Sequence, residues 1–418
     1  MRIQAPRGTE DVTPESAPRW RHVEETFRAL VARSGYGEIR TPTFEETALF
    51  VRTVGETTDI VSKEMYSFKD KGDRDISLKP EGTAPAVRAV LEHSLCPPGT
   101  VLRLSYVTPI FRYERPQKGR LREAHQLGLE LLGSPAPTAD AEIVELTYRT
   151  YAAIGLPETV VLLNSLGRDA CRAAFREAIL THMGPFLKDQ GEEMRAKAAK
   201  NPLRLLDSKD PEAQKALDGL PPVTDFLEPD SRAHFERLQT LLTDAGVPYR
   251  LAPEVVRGLD YYTGTVFEVH STALGAQGAL CGGGRYDGLV KELGGPDTPA
   301  VGVGMGIERA LIALDAANAF PSAPRPETFV IAAGAEAEGA ALALARELRA
   351  AGLAALTDPN ARSLKSQLGQ ADKAKARLAL LLGPNEIAAG TVQVRLLDAS
   401  ERLDVPRAEI VERVRGLL

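Results

Sequence analysis

The sequence predicts an α+β domain in which an antiparallel sheet is flanked by helices, with a helical insertion and a C-terminal α/β domain. Three observations carry this reading. Short strand-like pieces punctuated by Gly and Pro fill the first half without regular strand–helix–strand alternation, which favours antiparallel pairing over a doubly wound sheet. From about Ser165 to His234 the composition turns to Ala, Lys, Glu and Arg, as in Glu192-Glu193-Met194-Arg195-Ala196-Lys197. A Pro-rich linker, Phe320-Pro321-Ser322-Ala323-Pro324-Arg325-Pro326, then gives way to alternating strand and helix signals. The expected domains are 1–325, with the insertion at about 165–234, and 326–418.

Thr13-Pro14 opens the first helix, since Thr caps and Pro suits the first turn. Trp20, Val23, Phe27, Leu30 and Val31 recur at helical spacing, and Gly35 ends the pattern. Strand signals follow at Ile39 to Thr43, Val101 to Tyr106, Ile110 to Tyr113 and Leu127 to Leu132. They return after the insertion at Tyr249 to Val256 and Thr265 to His270. In the last unit, Phe329 to Ala333, Leu378 to Leu382 and Val392 to Leu397 read as strands. Glu338 to Ala351, with Ala341, Leu344 and Leu348 on one face, and Arg407 to Leu417 read as helices.

Apolar residues are 43% of the 418-residue chain and charged residues 26%, an ordinary globular composition. A net charge of −6 argues against wholesale coating of nucleic acid but leaves room for a local basic loop that meets RNA. Cys96, Cys171 and Cys281 are far apart, so neither a disulfide framework nor a zinc site is expected, and no metal ligands are assigned. The first residues lack the apolar core of a leader, and the longest apolar runs are far short of a membrane span; a soluble, cytoplasmic protein is expected.

The most informative stretch is Phe111-Arg112-Tyr113-Glu114-Arg115-Pro116-Gln117-Lys118-Gly119-Arg120-Leu121-Arg122-Glu123-Ala124-His125-Gln126-Leu127-Gly128-Leu129-Glu130. Strand signals flank a loop, marked by Pro116 and Gly119, that presents Arg115, Lys118, Arg120 and Arg122. Guanidinium groups bind phosphate bidentately, although a basic loop taken alone is more often a solvated hairpin. Gln126 and Glu130 alternate onto one face of the following strand. If that face is buried, two polar side chains there are hard to explain by packing.

Other stretches add polar groups. In Lys79-Pro80-Glu81-Gly82-Thr83-Ala84, Glu81 suits an α-ammonium group and Thr83 either a substrate contact or a helix cap. In Arg257-Gly258-Leu259-Asp260-Tyr261-Tyr262-Thr263-Gly264-Thr265, one fixed positive charge precedes two phenols. An imidazole is able to donate to a carboxylate through one nitrogen and meet a phenol at the other; core tyrosines on a strand are the plain alternative. Gly282-Gly283-Gly284-Arg285-Tyr286-Asp287 permits close backbone approach, or marks a simple turn. The glycines of Val301-Gly302-Val303-Gly304-Met305-Gly306-Ile307-Glu308-Arg309 have the wrong spacing for a dinucleotide fingerprint.

Together these stretches resemble the class II aminoacyl-tRNA synthetases in their histidyl form. Phe111 to Glu130 resembles motif 2, Val301 to Arg309 motif 3, and Glu38-Ile39-Arg40-Thr41-Pro42-Thr43-Phe44-Glu45 motif 1. Arg257 to Glu268 resembles the peptide particular to histidyl-tRNA synthetases. The resemblance implies a catalytic domain of class II synthetase type and a C-terminal anticodon-binding domain. Histidine would be bound by Glu81, Thr83, Gln126, Glu130, Arg257, Tyr261 and Tyr262, and ATP by Arg112, Glu114, Arg120 and Arg309. Arg257 and Arg112 would act in catalysis, while Arg115, Gln117, Lys118 and Arg122 would meet tRNA(His). Mg²⁺ would accompany ATP, and Pro42 would lie at a homodimer interface. In the last domain Arg362, Lys365, Lys373, Lys375 and Arg377, with Ser363-Leu364-Lys365-Ser366-Gln367, would approach RNA. The rival reading is the histidine-sensing regulatory paralogue of ATP phosphoribosyltransferase, which keeps the fold but typically loses active-site residues and the last domain. A sister synthetase for another amino acid would lack Leu259-Asp260-Tyr261-Tyr262.

Overall fold

The computed structural model of the chain describes all residues except 1–2, 56–57, 118, 157, 207, 209, 257–260, 322–324 and 400. It divides into two compact units, residues 1–321 and 322–418.

The first unit is built on an eight-stranded sheet. Its order is Gly37–Glu38, Leu102–Phe111, Glu123–Leu132, Ala300–Gly306, Ala279–Arg285, Thr265–Ser271, Thr159–Ser165 and Tyr249–Leu251. The six inner strands pair antiparallel, as the sequence predicts, but both edge strands run parallel to their neighbours, so the sheet is mixed. The strand predicted at Ile39 to Thr43 does not form; a two-residue strand, Gly37–Glu38, lies just before it, with one further bond from the Ile39 N–H to the Ser105 carbonyl. The two predicted pieces Val101 to Tyr106 and Ile110 to Tyr113 are one strand running through Pro109. This is tolerated because Ser105 and Phe111, of the same parity, bond away from Glu123–Leu132, and the short edge strand ends before Pro109. The predicted strand Tyr249 to Val256 is likewise short, Tyr249–Leu251.

Alternation sorts the central strand. Leu127, Leu129 and Leu131 face a core shared with Val23 and Phe27 of the helix Ala17–Arg33, Ile143 and Val144 of Pro137–Ala153, and Leu314 of Ile307–Ala316. Burying each such side chain stabilises the fold by about 1.5–3 kcal/mol. The opposite face carries Gln126, Gly128, Glu130 and Leu132. The first helix begins at Ala17, later than predicted, because Thr13 and Ser16 bond to each other in a preceding turn. The insertion is helical from Asp169–Lys188 onward, and its last helix, Pro229–Asp244, continues past His234.

The second unit is a five-stranded sheet in the order Ala355–Thr357, Thr328–Ala332, Leu378–Leu382, Thr391–Leu396, Glu401–Pro406. The first three strands are parallel and the last two antiparallel. Ala341, Leu344 and Leu348 face its core from the helix Glu338–Ala350, as their spacing predicts. The final helix is Ile410–Leu417, preceded by a single 3₁₀ turn.

Candidate active site

Glu130 is the centre of a polar cluster on the sheet face opposite the main core. It is 0% exposed. One carboxylate oxygen accepts from the Thr83 hydroxyl at 2.8 Å and the Tyr106 hydroxyl at 2.9 Å, and the other accepts from the Tyr286 hydroxyl. Burial pushes the Glu130 carboxyl up to about 8, against the three hydroxyl donors that favour its charged form. The Gln126 amide oxygen, on the same strand face, accepts from the Gly82 N–H at 3.1 Å.

Glycines make the room. A methyl group at Gly302 would lie 1.7 Å from the Glu130 carboxylate, one at Gly304 2.0 Å from the Gln126 amide, and one at Gly128 2.0 Å from the Tyr106 ring. The glycines of the segment Gly282 to Asp287, read as a close-approach stretch or a turn, belong to a central strand, Ala279–Arg285, and those of Val301 to Gly306 to another, Ala300–Gly306; their missing side chains admit those of their neighbours.

Glu81 is also buried, and its two oxygens accept the N–H groups of Thr83 (2.7 Å) and Ala84 (2.8 Å). Glu81 thus satisfies the start of the helix Thr83–Glu92, while the Thr83 hydroxyl turns to Glu130; the capping role belongs to the carboxylate and not to the threonine. Burial raises the Glu81 carboxyl above its ordinary range, opposed by these backbone donors and by Arg112. Tyr261 and Tyr262 are buried beside this cluster, with ring centroids 4.8 Å apart and Tyr261 5.7 Å from Tyr286. Tyr106 and Tyr286, which hold Glu130, were not singled out from sequence. The usable signal for Tyr106 is its register opposite Gly128, visible only once the strands are paired.

Beside the cluster stand three guanidinium groups. Arg112 donates from Nε to the Pro80 carbonyl at 2.8 Å, one residue before Glu81. Arg112 and Arg120 lie 3.9 and 3.6 Å from the Glu114 carboxylate. Burial, then the Arg120 charge, hold Arg309 below its ordinary range, with Glu268 and Glu114 opposing. The three guanidinium groups share this corner with the carboxyls of Glu64, Glu81, Glu114 and Glu268; they are the fixed donors that suit a phosphate. Arg115 and Gln117 are exposed on the loop, Gln117 and Arg120 bridge its two arms, and Arg122 stacks 3.8 Å over the Tyr113 ring. The loop is anchored from outside by the Gly8 carbonyl, which accepts the N–H groups of Arg122 and Glu123. Arg257 and Lys118 lie outside the described residues.

His125 and Glu308 join the two motif-like segments: the Glu308 carboxylate accepts the His125 N–H at 2.9 Å and meets its ring nitrogen at 2.9 Å. Arg285 proves structural. It is buried with Asp140 and also bonds Asp287 and the Ser134 carbonyl. In the second unit Arg362, Lys365, Lys373 and Lys375 are exposed, whereas Gln367 is buried against the Ala332 backbone. No group of three or more His, Cys, Asp and Glu fit to hold a metal occurs among the described residues, and no described helix is long and apolar enough to cross a membrane.

The family profile for histidyl-tRNA synthetase matches residues 8–310, and that for the anticodon binding domain matches residues 327–417. A histidine–tRNA ligase of Synechocystis sp. is 49% identical over 395 residues, 94% of this chain and 88% of that one. That of Moorella thermoacetica is 46% identical over 421 residues, 100% and 99% of the two chains. The structure superposes on apo S. aureus histidyl-tRNA synthetase with a TM-score of 0.84 at 34% identity, covering 99% of this chain and 100% of that one. Profile, identity and fold agree: the chain belongs to the histidyl-tRNA synthetase family.

Proposed function

We propose that Glu130 is the group that selects the substrate side chain, as the chain activates L-histidine with ATP and transfers it to the 3′ end of tRNA(His). The observation that carries this reading is a buried carboxyl, ringed by hydroxyls, next to a cluster of arginines. Glu130 accepts the imidazole N–H, with Gln126, Thr83, Tyr261 and Tyr262 shaping the pocket. Glu81 retains lone pairs for the α-ammonium group beyond its two backbone donors. Arg112, Glu114, Arg120 and Arg309 hold ATP, and Arg257 joins Arg112 at the reacting groups. A histidine carboxylate oxygen attacks the α-phosphorus and pyrophosphate leaves; the tRNA hydroxyl then attacks the acyl carbon and AMP leaves. The protein contributes mainly position and fixed charge. Glu64, whose carboxyl burial and then the charge of Glu114 raise, and Glu114 are the carboxylates here that would face Mg²⁺ carried on the nucleotide phosphates, where the ion would offset their charge.

Arg115, Gln117, Lys118 and Arg122 take the tRNA acceptor end, and residues 326–418 take the anticodon. The working unit is a cytoplasmic homodimer with Pro42 near its interface. The regulatory alternative fares poorly: the arginine site and the last domain are both present, and the relatives at 46–49% identity are histidine–tRNA ligases. ATP–pyrophosphate exchange across the amino acids tests the proposal. Exchange with histidine alone is expected, sharply reduced in Arg257→Ala. Exchange driven by another amino acid, or none, refutes it.

A further inference from the structure

A side chain of the helical insertion reaches the peptide group that follows Tyr262. The helix Asp169–Lys188 starts beside the segment that carries Tyr261 and Tyr262. Arg172, in its first turns, donates from its guanidinium to the Tyr262 carbonyl at 2.9 Å. The N–H of the same peptide group, on Thr263, donates to the Arg285 carbonyl at 2.7 Å. A planar peptide held at both its oxygen and its nitrogen has little freedom to rotate. The direction in which the Tyr262 side chain leaves the backbone is fixed with it. The Tyr262 ring lies against Gly284, where a methyl group would come within 2.8 Å of it.

The Tyr262 side chain packs in the core beside Tyr261, while open space borders the clamped peptide. A cavity of about 450 Å³ opens here, lined among others by Arg172, Tyr261, Thr263 and Lys291. With Arg172 removed, the carbonyl has space to turn into. The Arg172 side chain is 19% exposed and is held by Asp169, which is itself 93% exposed, so the pair belongs to the insertion and reaches inward. Two backbone bonds brace the junction, Leu166 N–H to the Gly264 carbonyl (2.7 Å) and Gly264 N–H to that of Gly167 (3.1 Å), but neither touches the Tyr262 peptide.

We propose that Arg172 is a positioning residue through which the insertion sets the shape of the histidine pocket, acting on Tyr262 by its carbonyl. The proposal rests on the placement of Tyr262 in that pocket. The test is pyrophosphate exchange by full-length Arg172→Ala with histidine and ATP varied in turn, alongside thermal unfolding. Loss of one hydrogen bond from a charged donor raises KM for histidine about tenfold, leaves KM for ATP within about twofold, and leaves Tm nearly unchanged. Arg172→Lys, which keeps a charged donor, gives an intermediate KM for histidine, and decides the matter by the same two constants if the alanine variant does not fold. An unchanged KM for histidine, or equal rises for both substrates, overturns the proposal. Absence of histidine-dependent exchange in the unaltered protein instead defeats the functional reading, and this proposal with it.

Discussion

Replacing Glu130 by Gln keeps the shape of the site and removes its titration. In the folded protein the Glu130 carboxyl is raised from 4.5 to about 8, chiefly by burial. At 1.36 kcal/mol for each pH unit, that displacement corresponds to about 5 kcal/mol. The sign follows from which state holds the proton more tightly. The folded state does, so this group's contribution to stability is complete below pH 4.5 and is lost as pH rises to about 8. Glu130→Gln cannot ionise. One amide oxygen still accepts from Thr83 and Tyr106, and the Tyr286 hydroxyl turns to accept from the amide nitrogen. The expected result is a Tm that falls between pH 5 and pH 9 in the unaltered protein and falls much less in the variant. Histidine, whose imidazole N–H favours the ionised carboxylate, adds a Tm gain that grows from pH 6 to pH 8 in the former only. Parallel Tm–pH curves for the two proteins, measured by scanning calorimetry with and without histidine, would refute the reasoning.

Two further substitutions probe the frame. Gly302→Ala places a methyl group 1.7 Å from the Glu130 carboxylate and 2.7 Å from the Leu129 carbonyl, in a strand paired on both sides; a stability loss of at least about 1–3 kcal/mol by urea unfolding is expected, with loss of histidine-dependent exchange, and a normal KM for histidine would contradict it. Asp140→Asn removes the carboxylate that neutralises buried Arg285, with Asp287 left as a partial substitute; unfolding should cost about 3 kcal/mol less, and a change below about 1 kcal/mol would show that Asp287 suffices.

The site was legible where local pattern decides geometry. Gln126 and Glu130 share a strand face because side chains alternate, and that holds in any register. The basic loop was legible from Pro116, Gly119 and its charges. What pairs across the sheet was not. Tyr106 meets Glu130 only because Gly128 opposes Tyr106, and Gly302 meets it only because Ala300–Gly306 pairs with Glu123–Leu132. Those glycine-rich strands hid themselves, since Gly is unfavourable in strands and its presence reads as a turn. Pro109 misled in the same way: a residue that usually ends a strand here occupies a place where no neighbour needs its N–H. That Glu81 and not Thr83 satisfies the helix start escaped because a capping preference says which residue types suit a helix start, not which of two nearby acceptors arrives first.

The hold of Gly8 on the basic loop makes the loop's order a property of two stretches more than a hundred residues apart. The amides of Arg122 and Glu123 point to the Gly8 carbonyl and not to a strand neighbour. They are therefore natural isotope-exchange reporters: slow exchange marks docking of the leading segment, fast exchange its release. A fusion tag or truncation ahead of Gly8 becomes, through those two amides, a perturbation of the loop proposed to meet the nucleotide, and the exchange rates of both amides would report it.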